Sequence, residues 1–265
     1  MKRIDLNCDM GEMPEHISDG TQEALMRSIT SVNIACGGHA GDEQSMAATI
    51  EQAVRHKMAI GAHPGYADRA NFGRIELNLS PDEVADSVYA QVRALAEVAA
   101  RYDADITHVK PHGALYNQAV HNAQLARAIA SGVARWSTYV VLIGLAGSPM
   151  LDVFEDAGFP IFAEAFADRR YEPDGTLRSR KHADALIQDP AEAAQQALSI
   201  VQGRVVARDG SEVALHADTL CIHSDTPGSP QIAAQVAKNL REAGVILVHA
   251  LPPRLYVRKN RPTHS

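Results

Sequence analysis

Acidic and imidazole side chains recur at the ends of short apolar segments in this 265-residue chain. Asp9 follows the first such segment, His39 lies in a glycine-rich loop, and His63 and His112 each adjoin a proline. One aspartate with two histidines is a ligand set of metal-dependent hydrolases, and the same imidazoles can transfer protons near neutral pH without a metal. The pattern predicts hydrolytic chemistry, with Asp9, His63 and His112 as candidate ligands of a divalent metal.

One of these apolar segments ends in a lysine, Lys110. Lys110 would be buried there, and a buried ammonium group needs an anionic partner. The partner would be a ligand group, namely a substrate carboxylate, a phosphate or the oxyanion of a hydrolytic intermediate. The alternative is a salt bridge to the carboxylate of Glu164 or Asp9. The residues predicted to be catalytic are Asp9, His39, His63, Lys110 and His112.

Further polar residues at the segment ends are candidates for substrate binding. Arginine can hold a carboxylate or phosphate through two hydrogen bonds, and we expect one of Arg169 and Arg170 to do so while the other lies on the surface. Asp42 has the alternative role of a helix N-cap. We also expect a histidine–carboxylate pair between His223 and Asp225. The predicted substrate-binding residues are Asn7, Glu12, Asp42, Tyr116, Asn117, Asp168, Arg169, His223 and Asp225.

The apolar segments themselves predict buried parallel strands that alternate with helices. The predicted strands are Arg3–Asn7, Ser31–Cys36, Met58–Ala62, Ile106–Lys110, Tyr139–Ile143, Ile161–Ala165 and Thr219–His223. Seven such units in a chain of this length favour an α/β fold with a closed β/α barrel, similar to a TIM barrel, over an open doubly wound sheet. In a barrel the carboxyl ends of all strands share one face, so the polar segment ends would converge there.

Capping patterns and one hairpin complete the predicted organisation. Ser80-Pro81-Asp82-Glu83 predicts a helix start, and Asp209-Gly210 predicts the turn of a β-hairpin inserted at about residues 204–216. Val245–His249 is predicted to be a late strand that pairs with this hairpin. We expect one domain over residues 1–265, ending in a basic, solvated tail at about residues 254–265.

Composition limits the class of protein. The net charge of −7 argues against a nucleic-acid partner, and no segment has the roughly 20 apolar residues of a membrane span. Three cysteines without a CxxC pair indicate reduced thiols, which are typical of a cytoplasmic protein. The sequence has no GxxxxGK[ST] phosphate loop, no GxSxG nucleophile motif and no HExxH zinc motif.

Six segment-end motifs, in this order, resemble those of one protein family. They are NCDMGE, NIACGGHAGD, GAHPGY, VKPHGALYN, EAFADRRY and CIHSDTPG, and the likeness runs from Leu6 to about Leu251. The family is that of the A subunit of bacterial ATP-dependent 5-oxoprolinase, whose members are also called lactam utilisation proteins.

The resemblance carries several implications for this chain. It implies a seven-stranded barrel similar to that of polysaccharide deacetylases. It also implies cleavage of 5-oxoproline to L-glutamate coupled to hydrolysis of ATP, in a complex with the B and C subunits of 5-oxoprolinase. By analogy with the deacetylases, Asp9, His63 and His112 would be the metal ligands.

Two other functions remain open at the level of sequence. The first is a stand-alone metal-dependent amide hydrolase or carbohydrate deacetylase, which needs a metal but neither ATP nor partners. The second is a non-catalytic subunit that binds or regulates its partners. The number of titratable residues at the predicted barrel rim argues against the second alternative.

Overall fold

Seven parallel strands close into a barrel in the computed structural model, which describes residues 2–249. In chain order the strands of this part are β1 (Arg3–Met10), β2 (Ser31–Ala35), β3 (Ala59–His63), β4 (Ile106–Val109), β5 (Val141–Leu145), β6 (Ile161–Phe166), β7 (Arg204–Val206), β8 (Glu212–Ala214), β9 (Thr219–Cys221) and β10 (Ile246–Leu247). Strand β1 pairs with β2 along Asn7–Met10 and with β9 along Asp5–Asn7, which closes the order β1-β2-β3-β4-β5-β6-β9. The predicted seven-stranded barrel is confirmed, and the open sheet is excluded.

Helices cover the outside of the barrel and connect successive strands. They are α1 (Pro14–Ser18), α2 (Thr21–Met26), α3 (Glu43–Arg55), α4 (Pro81–Ala100), α5 (Gly113–His121), α6 (Ala123–Ala134), α7 (Pro149–Asp156), α8 (Pro190–Val201) and α9 (Ser229–Glu242). Helix α4 begins as predicted, because the Ser80 hydroxyl accepts from the Glu83 amide while the Glu83 carboxylate accepts from the Ser80 amide. Its apolar stripe is buried, and it packs against α6.

Two segments lie outside the barrel wall. The predicted hairpin is present as β7 and β8, which pair antiparallel with each other. The prediction that the last strand pairs with this hairpin is wrong, because β10 pairs in parallel with Arg3 and Ile4. Those two residues precede the part of β1 that pairs with β2 and β9, so their backbone groups are available to β10. The predicted basic tail lies outside the described residues.

The barrel interior is polar, unlike the apolar layer between strands and helices. The side chains of Asp5, Asn7 and Asp9 alternate along β1, and all three are buried. Asn7 donates to Glu164 of β6, which is not a neighbour of β1 in the sheet, so the bond crosses the interior. Buried polar groups need hydrogen-bond partners, and Asp5, Asn7 and Asp9 each have one in this network.

A glycine makes room for one of the interior side chains. A Cβ atom on Gly61 of β3 would lie 2.1 Å from Nε2 of His108 in β4. His108 is itself held by hydrogen bonds to Asn33 and Thr107, at 2.9 and 2.8 Å. Only a residue without a side chain leaves space for this imidazole.

Among residues 2–249, no helix is both long enough and apolar enough to cross a membrane.

Candidate active site

A cavity of about 930 Å³ opens at the carboxyl ends of the barrel strands. Parallel strands point all their carboxyl ends toward this face, and the loops that follow them supply the lining. The predicted site residues that line the cavity are Asp9, Glu12, His63, Lys110, His112, Tyr116, Asn117, Arg169, His223 and Asp225. Residues at or just after the carboxyl ends of five different strands are therefore brought to one cavity.

Glu12 and three imidazoles form the most compact cluster of this site. Glu12 Oε1 lies 2.9 Å from Nε2 of His39, 3.2 Å from Nδ1 of His112 and 3.7 Å from Nε2 of His63. The rings of His39 and His112 stack in parallel with centroids 3.6 Å apart. All four side chains are buried, so this polar cluster is shielded from bulk water.

Backbone carbonyls determine which nitrogen carries the proton in two of these rings. Nδ1 of His63 lies 2.7 Å from the carbonyl oxygen of Lys110, and Nε2 of His112 lies 2.9 Å from that of Phe72. A carbonyl oxygen only accepts, so each of these nitrogens is the donor. In the neutral rings, the lone pairs of His63 Nε2 and His112 Nδ1 then face each other at 3.0 Å. Two lone pairs repel at this distance unless a proton or a metal cation lies beside them.

Burial keeps His39 and His112 neutral. It lowers the pKa of His39 to about 4, and it also lowers the pKa of His112. Burial acts in the same direction on His63, but the carboxylate of Asp9, 3.4 Å away, outweighs it and raises the pKa of that ring. The cluster therefore combines proton acceptors with one imidazole that holds a proton readily.

Lys110 connects the carboxylates at the floor of the cavity. Its Nζ lies 2.9 Å from Asp9 Oδ1 and 2.9 Å from Glu164 Oε1, and it also contacts Asn7 Oδ1 and Cys221 Sγ. Burial opposes the charge of Lys110, but the two carboxylates raise its pKa well above the usual value. The salt-bridge alternative is confirmed for both carboxylates. Because the donors of Nζ are taken by protein groups, Lys110 is a poor anchor for a substrate carboxylate.

A histidine–aspartate pair lies on another part of the cavity wall. Asp168 accepts hydrogen bonds from Nδ1 and the backbone amide of His223, both at 3.0 Å, and from the hydroxyl of Thr226 at 2.7 Å. The predicted partner of His223 was Asp225; this is wrong, because the following turn directs Asp225 to Arg74 and Arg180 instead. Burial would raise the pKa of Asp168, but His223 and the other donors lower it to about 2.

Arg169 is a buried cation on the same wall. It is 7% exposed, and it donates from Nη2 to the carbonyl oxygen of Arg178 at 2.7 Å. Its Nε has no acceptor in the described part of the chain. None of the salt bridges within residues 2–249 involves Arg169. The neighbouring Arg170 pairs with Glu192 outside the cavity, as expected for a surface charge.

The other predicted site residues lie away from the cavity surface. Asn7 is in the barrel interior, His39 is behind His112, and Asp168 is behind His223. Asp42 caps α3, where its carboxylate accepts from the Ser45 amide at 2.8 Å, so the N-cap alternative describes its contacts.

Sequence reasoning missed several polar residues of the interior and the rim. They are Asp5, Asn33, Arg74, His108, Arg180 and Thr219. Alternation along the strands is the signal that identifies the interior ones, because Asp5, Asn7 and Asp9 are two residues apart in β1. Arg74 and Arg180 lie in long loops, and no local pattern marks them.

The site offers a donor set that suits a transition metal. Ligand atoms of Glu12, His39, His63 and His112 lie within 4.8 Å of one another, and imidazole nitrogens with a carboxylate oxygen suit Zn²⁺ and similar ions. Asp9 falls in a second group with Cys221 and His223. Asp9, His63 and His112 stay a predicted ligand set, to which the geometry adds Glu12 and His39.

The three cysteines are buried free thiols within the barrel region. Burial raises the pKa of Cys36 to about 12 and that of Cys221 well above the usual value. A neutral, buried thiol is a weak nucleophile, so these residues are packing and hydrogen-bonding groups.

Comparisons with known proteins agree on one family. The model of the LamB/YcsF family matches residues 4–253. The A subunit of 5-oxoprolinase from Chloroflexus aggregans is 47% identical over 92% of this chain and 98% of its own length, and that from Methylococcus capsulatus is 46% identical over 92% and 94%. The crystal structure of a lactam utilization protein from Thermus thermophilus is 39% identical, with a TM-score of 0.86 over 94% of this chain and all of that one.

Proposed function

Because the chain belongs to the LamB/YcsF family, we propose that it is the A subunit of an ATP-dependent 5-oxoprolinase. In this proposal the complex opens the lactam ring of 5-oxoproline to give L-glutamate and hydrolyses ATP to ADP and phosphate. The B and C subunits are the partners, and the lack of a GxxxxGK[ST] phosphate loop in this sequence fits a division of labour with them. The names of the relatives from Chloroflexus aggregans and Methylococcus capsulatus support the assignment.

One observation carries the proposal: a buried arginine that forms no salt bridge within residues 2–249 lines the same cavity as a cluster of proton-transfer groups. Arg169 suits the carboxylate of 5-oxoproline, which a planar guanidinium can hold through two hydrogen bonds. Glu12, His63 and His112 lie on the same cavity and can hold or move a proton. The site thus has an anchor for the substrate and a base for the attacking water.

Ring opening needs two proton transfers at different atoms. The oxygen of water forms a bond to the ring carbonyl carbon as it loses a proton, and the carbon–nitrogen bond breaks as the nitrogen gains one. We assign the first proton to the Glu12 cluster and the second to His223, which Asp168 orients through Nδ1. A five-membered lactam is stable in water, and coupling to ATP supplies the free energy for opening it.

A divalent metal fits the same residues. If bound by Glu12, His39, His63 and His112, it would polarise a carbonyl group or lower the pKa of water. This donor set is also the observation that favours the second candidate function, a stand-alone metal-dependent amide hydrolase or deacetylase. That function requires activity without ATP and without partners.

The test is isotope-traced conversion of 5-oxoproline by the chain alone and by the chain with the B and C subunits. We expect ATP-dependent glutamate formation only in the three-subunit complex, and a loss of at least about 100-fold for Glu12→Gln or His112→Gln, consistent with general acid–base catalysis. Arg170→Gln, next to the site but paired with Glu192 outside it, is the control and should retain full turnover.

Two outcomes would contradict the assignment. Turnover of an amide by the chain alone, without ATP, supports the metal-dependent hydrolase. Full turnover in complexes carrying either site variant supports a non-catalytic role for this chain.

A further inference from the structure

The loop that follows β3 contacts the stacked rings of His39 and His112 at Phe72. The backbone carbonyl oxygen of Phe72 accepts a hydrogen bond from Nε2 of His112 at 2.9 Å. The Phe72 ring also meets the rings of His39 and His112 edge-on, with centroids 5.5 Å away in both cases. Phe72 is not part of the cavity lining, so it can act on the chemistry only through these imidazoles.

Phe72 makes these contacts in a conformation that bulky residues rarely adopt. Its φ of 55° and ψ of 34° are in the left-handed region. Gly73 is also left-handed, with a φ of 61°, and a Cβ atom there would lie 2.7 Å from Cβ of His39 and 3.2 Å from Cδ2 of His112. Such strain persists only where the surrounding contacts enforce it, and it is found most often at functional sites.

Two acceptors compete for the single proton of the neutral His112 ring. The Phe72 carbonyl oxygen holds the proton on Nε2, whereas Glu12 Oε1, 3.2 Å from Nδ1, would hold it on Nδ1. Only with the proton on Nε2 does Nδ1 keep a lone pair that can accept a proton within the Glu12 cluster. The position of Phe72 therefore decides whether His112 can serve as a base.

Arg74 connects this turn to the other side of the cavity mouth. Its guanidinium lies over the Phe72 ring, 4.8 Å from the centroid, and its Nη2 lies 2.5 Å from Oδ2 of Asp225, in the loop after β9. Two strands separate β3 from β9 on one side of the barrel and three on the other, so this ion pair spans the mouth. Asp225 also pairs with Arg180, in the loop after β6, so three loops meet at one carboxylate.

We propose that the turn of residues 72–74 is a positioning element for His112, and that Arg74 holds it in place by pairing with Asp225 across the cavity mouth. When this ion pair is broken, the turn relaxes toward an unstrained backbone and the Phe72 carbonyl oxygen leaves Nε2 of His112. The ring proton then moves to Nδ1, and His112 loses its accepting nitrogen. The inference rests on the proposed function, in which His112 belongs to the proton-transfer cluster.

Nuclear magnetic resonance of the imidazole nitrogens reports the tautomer in the full chain, labelled with ¹⁵N-histidine and freed of divalent metal with a chelator. The signals of His112 are those that disappear in His112→Gln. We expect the Nε2–H form to predominate in the wild-type protein. Arg74→Gln and Asp225→Asn should each raise the ratio of the Nδ1–H to the Nε2–H form by about 5- to 10-fold, as for the loss of one neutral hydrogen bond.

Two variants that keep a cation paired with Asp225 beside Phe72 are the controls. Arg74→Lys is the conservative replacement and should retain the wild-type ratio. Arg180→Gln removes the other cation of Asp225 while Arg74 stays in place, and it should also retain the ratio. Thermal denaturation shows that the variants are folded: the Arg74 and Asp225 side chains are 42% and 19% exposed, so breaking their pair should lower the melting temperature by less than about 5 °C.

Turnover by the three-subunit complex gives a second readout. In Arg74→Gln, kcat should fall in proportion to the loss of the Nε2–H form of His112. KM should change by less than about 2-fold, because the variant disturbs the base rather than the binding of substrate.

The proposal is overturned if Arg74→Gln or Asp225→Asn leaves the tautomer ratio of His112 unchanged, or if Arg180→Gln shifts it as much as they do. A raised KM with an unchanged kcat in Arg74→Gln would also overturn it, since Arg74 would then act on the substrate. The tautomer is measured on the chain alone and needs no turnover, so its failure is distinguishable from failure of the 5-oxoprolinase assay.

Discussion

Replacing Lys110 with methionine should strongly destabilise the protein. The ammonium group lies 2.9 Å from carboxylate oxygens of both Asp9 and Glu164, and the three side chains are 3%, 7% and 0% exposed. Removal of one partner from a buried ion pair costs about 3–5 kcal/mol, because the remaining charge is left without compensation. Two carboxylates share this one cation, so we expect a loss in the upper part of that range.

Urea and thermal denaturation measure the effect. A loss of about 3–5 kcal/mol corresponds to a melting temperature about 6–20 °C lower for a chain of this size. Lys238→Met is the matched control, since Lys238 is an exposed lysine 4.0 Å from Glu242, and its loss should change stability by less than about 1 kcal/mol.

A double variant tests the reason for the effect. Adding Glu164→Gln to Lys110→Met removes one of the two carboxylates left unpaired, so part of the lost stability should return. The reasoning is refuted if Lys110→Met is within about 1 kcal/mol of the wild-type protein, or if the double variant is less stable than the single one.

Three further outcomes follow from the site and the barrel. Gly61→Ala should cost about 1–3 kcal/mol in urea denaturation, because its methyl group would meet the fixed imidazole of His108; an unchanged midpoint would contradict this close packing. Asp168→Asn should cost about 2 kcal/mol at pH 7, because the folded pKa of about 2 lies below the unfolded value. That difference should be complete above about pH 4 and shrink as the pH falls toward 2, and a difference independent of pH would contradict it. Calorimetric titration with Zn²⁺ compares the two ligand sets. Glu12→Gln should weaken Zn²⁺ binding by at least about 10-fold, and by more than Asp9→Asn does. A larger loss for Asp9→Asn would favour the ligand set predicted from the sequence.

The sequence was sufficient to predict the barrel and the location of its site. Strand–helix alternation implies parallel strands, and parallel strands place every following loop on one face, so Asp9, His63 and His112 were expected to meet. The start of α4 was equally predictable, since the Ser80–Glu83 capping pattern acts within four residues. These features depend on local chemistry and on strand direction, and the order of the residues determines both.

Only the tertiary structure determined which side chains and strands pair with one another. Asp168 rather than Asp225 holds His223, β10 pairs with β1 rather than with the hairpin, and the carbonyl oxygens of Lys110 and Phe72 fix the imidazole tautomers. Each outcome depends on a few ångströms of loop path and on the stagger between strands when the barrel closes. Sequence spacing does not encode those distances, because they result from packing of the whole chain at once.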